Sequence, residues 1–66
     1  MNYLLEALIK KLEGEIAVAI ANVRVYEKMA AGIGEHPGVV EAIETQIEKI
    51  AAAEEKIEMI IKYFSN

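Results

Sequence analysis

Sixty-six residues make one domain at most, and without cysteine neither a disulfide nor a cysteine-based zinc site can stiffen it. A formal net charge of −4 with a single arginine argues against binding a phosphate backbone. The longest charge-free run, Ile16 to Val23, is eight residues, against the roughly 20 needed to span a bilayer. Hydrophobic residues make up 55% of the chain, above the roughly 45–50% of ordinary domains. So short a chain has little interior to receive them, and association with other copies or a partner is the expected outlet.

At the start, Glu6, Lys10 and Lys11 interrupt the apolar stretch, which does not fit a secretory leader. A soluble, cytoplasmic protein is expected. There is no aspartate, one serine and one threonine. These are the residues of caps and turns, so few chain breaks are expected.

The first helix should run from about Tyr3 to about Ala31. Its main seam is Leu5, Leu12, Ala19 and Tyr26, paired with Ile9, Ile16, Val23 and Ala30. A second apolar stripe lies on another side: Ala7, Gly14 and Ala21 at heptad spacing, beside Val18 and Val25. Polar residues occupy a narrow strip with Glu6, Lys10, Glu13, Arg24 and Lys28. A helix apolar on two sides is one that is buried on two sides. Small residues in a row let two backbones approach, and a glycine inside a helix costs about 1 kcal/mol relative to alanine. These five residues, Ala7, Gly14, Val18, Ala21 and Val25, are therefore the expected self-association surface.

The only punctuation follows: Gly32-Ile33-Gly34-Glu35-His36-Pro37-Gly38. The glycines suit a left-handed helix end, His36 falls near the next N-cap, and Pro37 suits a first helical position. A turn over 32–36 is expected. His36 beside Glu35 has the chemistry of a metal ligand or general base but no nucleophile or orienting partner nearby in sequence.

The second helix should run from about Pro37 to about Phe64. Ile43, Ile50, Ile57 and Phe64 recur every seven residues, flanked by Val40, Ile47 and Ile61, while Glu41, Glu48, Glu55 and Lys62 line the opposite side. Each helix would be roughly 40 Å long. Residues 1–33 carry four cationic and four acidic side chains, and residues 34–66 carry three and seven, so all the net acidity lies in the second half. Equal helices joined by a short loop predict an all-α, antiparallel two-helix hairpin. Homodimerisation would make it a four-helix bundle, although two apolar stripes also allow a higher oligomer.

In a hairpin centred near Gly34, Leu5 lies level with Phe64, Leu12 with Ile57, Tyr26 with Ile43, and Glu15 with Glu54. Two-fold pairing of such hairpins would gather carboxylates, the raw material of bundle metal sites, although the Glu-x-x-His elements of those sites are missing. Glu15 is also one turn from Lys11 and well placed for a simple ion pair. Asn22, polar between apolar stripes, is the kind of residue that sets register. Tyr3, Tyr63 and Phe64 should meet at the open end of the hairpin. No phosphate loop, nucleophile elbow or metalloprotease motif is present. The sole serine, Ser65, lies beside the C-terminus, so neither an enzyme nor a cofactor is expected.

In size and helix arrangement the chain resembles the plasmid RNA-regulating proteins of the repressor-of-primer type, helical hairpins that dimerise into four-helix bundles. The likeness is architectural, with no shared motif. It implies an RNA-binding alternative through Lys10, Arg24 and Lys28, against which Glu6, Glu13 and Glu27 border the same strip. The leading expectation is a structural or regulatory protein–protein interaction module whose first partner is itself.

Overall fold

A computed structural model describes residues 1–31 and 38–65, with the side chains of Ala30 and Ala31 outside that description. The described chain is two α-helices, α1 (Tyr3–Ala31) and α2 (Val39–Phe64). Gly32, Gly34, Glu35, His36 and Pro37, and with them the expected turn, lie outside the described residues.

Helix α1 opens on Asn2, whose Oδ1 accepts a hydrogen bond from the Leu5 N–H at 2.9 Å. This satisfies one of the donors a helix start leaves without an internal partner. Helix α2 opens on Gly38, which adopts φ 83° and makes no side-chain cap. That φ lies outside the right-handed helical region and is cheap only for glycine. The first helical position of α2 is therefore Val39. At the far end the Ser65 hydroxyl donates to the Ile61 carbonyl.

The helices pack antiparallel into a ribbon 52 × 14 × 11 Å. Its core is Leu12, Ala19, Ala53 and Ile60, with Leu5, Ile9, Ile16 and Ile57 packed around it. The α1 seam thus lies where its heptad spacing predicts. The α2 seam is rotated. Ile43, Ile50 and Ile57 are half-buried, but the row beside them is Gln46, Ala53 and Ile60. Val40, Ile47 and Ile61 are turned outward, 72%, 50% and 52% exposed.

The rotated row includes one polar contact. The Asn22 amide Nδ2 donates to Gln46 Oε1 at 3.1 Å across the two helices, and Gln46 is the one buried polar side chain among the described residues. A buried amide with its partner present is tolerable, whereas one without costs about 1–3 kcal/mol. Ile47, about 100° further round the helix, is turned outward.

Candidate interaction surface

The ribbon has two narrow edges, the outer sides of α1 and α2, and two broad faces. Ala7, Gly14 and Ala21 follow the α1 seam row by two residues, about 200° around the helix. They therefore form the edge farthest from α2, and all three are exposed. A Cβ added at Gly14 would meet nothing within 4 Å, so the hairpin itself has no steric need for glycine there. Val18 and Val25, 61% and 55% exposed, rim this edge. Leu4 continues the Val18 and Val25 row at heptad spacing and is also exposed, a member the sequence reading passed over. The opposite edge is different: Glu41, Glu48, Glu55 and Lys62 are exposed and charged.

The first broad face carries a groove along Asn22 and Gln46, bordered by Lys11, Glu15, Val18 and Lys49. It continues past Leu8, Ala52, Lys56 and Met59, with Glu55 at its margin. Lys11 Nζ lies 2.7 Å from Glu15 Oε2. The hydrogen bond and the charge of Lys11, and more weakly the charge of Lys56, hold the Glu15 carboxyl below its usual value.

The second broad face is acidic. Glu13, Glu54 and Glu58 surround Ile16 and Ile57, and further along Arg24 and Glu27 border Ile20, Val23, Ile47 and Ile50. Lys10 reaches Glu13 at 3.6 Å in open solvent, a pairing of little energetic weight.

The sequence-derived candidates distribute over this frame as follows. Glu15 and Glu54 do not converge: one borders the first face beside Lys49, the other the second face beside Glu13. Both are exposed, and among the described residues no group of three or more metal-ligating side chains forms. The geometry separates them because the two sit on opposite flanks of their seams. Asn22 does bridge the helices, but within one chain. Its partner Gln46 went unseen; the available signal was its heptad spacing with Ala53 and Ile60, three residues after Ile43 and Ile50. Tyr3, Tyr63 and Phe64 are 78%, 63% and 56% exposed, and Lys62 Nζ sits 5.2 Å above the Tyr63 ring, within cation–π range. Lys10 and Arg24 each lie beside a glutamate, and Lys28 is exposed at the end of the Ala7, Gly14 and Ala21 row. His36 lies outside the described residues.

Among the described residues no helix is long and apolar enough to cross a membrane. No protein family, curated protein or solved structure matches this chain.

Proposed function

We propose that this chain is a structural or regulatory protein–protein interaction module, without catalytic activity, that works as a homo-oligomeric helical bundle in the cytoplasm. Its smallest assembled form is a pair of hairpins joined along α1 through Ala7, Gly14, Val18, Ala21 and Val25. One observation carries the reading: the single chain leaves too much apolar surface bare. Fourteen large apolar side chains are exposed among the described residues, against four buried apolar ones, two of them alanine. The accessible surface is 5074 Å², where a compact 7.3 kDa monomer would show about 4,200 Å². The excess, about 900 Å², is close to the roughly 800 Å² each partner contributes to a standard interface.

The RNA-binding alternative has less support, because Lys10 and Arg24 share their surroundings with Glu13 and Glu27. The primary test is molar mass by light scattering across a dilution series, on the wild type and on Ala21→Glu. A wild-type assembly of two or more copies that falls to monomer in Ala21→Glu supports the proposal. A wild-type monomer overturns self-association, and an Ala21→Glu variant of unchanged size and melting temperature overturns the α1 edge as the contact.

A further inference from the structure

The two broad faces differ in charge as well as in shape. The grooves of the first are bordered by three lysines (Lys11, Lys49, Lys56) and two glutamates, of which Glu15 is engaged by Lys11. Those of the second are bordered by four glutamates (Glu13, Glu27, Glu54, Glu58), of which Glu13 is paired with Lys10, and one arginine. Both faces also present bare apolar side chains, Leu8 and Met59 on the first, Ile20 and Ile47 on the second.

The charges are matched in position too. Counting outward from the Asn22–Gln46 pair, Lys11 lies level with Ile57 and Glu13 with Glu55. Lys11 and Lys56 therefore sit at the same height along the ribbon as Glu13, Glu54 and Glu58, on the reverse side. Pairing the first face with its own copy sets lysine against lysine, and pairing the second with its own copy sets glutamate against glutamate. Like charges brought together at an interface cost several kcal/mol. First face on second face sets three lysines against four glutamates around an apolar centre, whereas first face on first face offers only Glu55 and the Lys11-bound Glu15 as counter-charges.

We infer that the two broad faces are complementary halves of one heterologous contact, in which a second copy of this chain seats its Glu13, Glu54 and Glu58 face on the Lys11, Lys49 and Lys56 face of the first. The ribbons stack with their long axes aligned. A face 52 Å by 14 Å projects about 730 Å², near the roughly 800 Å² per partner of a standard interface. Each added copy leaves one face of each kind open, so the stack grows until rotation closes it into a ring. This rests on the self-association proposed above and adds a second contact, which meets the α1 edge at Gly14 and Val18.

The test reverses each face separately and then mixes the results. Lys49→Glu/Lys56→Glu makes both faces acidic, and Glu54→Lys/Glu58→Lys replaces two of the four glutamates of the second face with lysine. All four positions are exposed, and helicity by circular dichroism verifies that the variants fold. Sedimentation velocity should show wild-type species larger than a dimer, and either double variant should weaken that growth about 100-fold in concentration. An equimolar mixture of the two variants should restore growth, as should all four substitutions in one chain. Wild type that stops at a dimer overturns the heterologous contact while leaving self-association intact. So does growth that only one reversal impairs, or a mixture that stays dissociated. A monomeric wild type overturns the underlying reading instead.

Discussion

The outer sides of α1 and α2 show what distinguishes a finished helix from an unfinished one. Both helices give one side to the same seam. Helix α2 then turns Glu41, Glu48, Glu55 and Lys62 to the solvent, as a helix at the surface of a completed fold does. Helix α1 turns out Ala7, Gly14 and Ala21, rimmed by Leu4, Val18 and Val25. Water gains nothing from that edge, and alanine and glycine there keep it flat. The asymmetry gives α1 alone an apolar outer edge and leaves the far edge of α2 as ordinary solvated surface, although Val40, Ile47 and Ile61 leave α2 bare apolar surface elsewhere.

The largest way to break the comparison is to remove the seam both helices share. Leu12 is 2% exposed and is the largest fully buried side chain. Leu12→Ala should cost about 2–5 kcal/mol, most of what so small a domain can hold, and thermal melting by circular dichroism should show a loss of cooperative folding. Next is the polar bridge. Asn22→Leu strands the buried Gln46 amide and should cost about 1–3 kcal/mol. Asn22→Leu with Gln46→Leu should recover much of that in urea titration, because both ends of the bridge are then apolar. A double variant no more stable than the single would show that the amide pair is not what orients α2.

Gly14→Ala sharpens the contrast between edges. On a bare helix surface it should stabilise by about 1 kcal/mol through helix propensity. Against a closely packed second copy the added methyl should weaken association instead. Measuring urea stability and molar mass on the same variant separates the two, since the hairpin itself leaves the site open.

The smallest effect is electrostatic. Lys11 holds the Glu15 carboxyl below its usual value. A lowered folded-state value means this contribution is complete above the ordinary glutamate range and is lost as pH falls through the lowered value. The pair is exposed, so Glu15→Gln should move the acid limb of the stability curve only slightly and leave the α1 edge unchanged.

Much of the hairpin was legible because its signals are local. One glycine- and proline-containing stretch divides the chain, and heptad spacing finds the α1 seam from Leu5 through Ile9, Leu12 and Ile16 to Ala19. The α1 edge was legible as an excess, an apolar stripe with no partner inside the chain. The bearing of α2 was not. Hydropathy taken residue by residue ranks Ile47 above Gln46 for burial, yet a helix rotates as one body, and the row that enters the seam carries Gln46 with Ala53 and Ile60, Gln46 meeting the amide of Asn22 on the other helix.

What the sequence by itself determined is therefore that there are two helices, where they part, and that one of them is apolar on two sides, since periodicity and chain breaks depend only on neighbours along the chain. Only the tertiary structure decided which row of α2 enters the seam, that Glu15 and Glu54 fall on opposite faces, and that Lys11, Lys49 and Lys56 gather on one broad face and Glu13, Glu27, Glu54 and Glu58 on the other. Each of these depends on the rotation of one helix against the other, which is set by contacts between residues more than twenty positions apart.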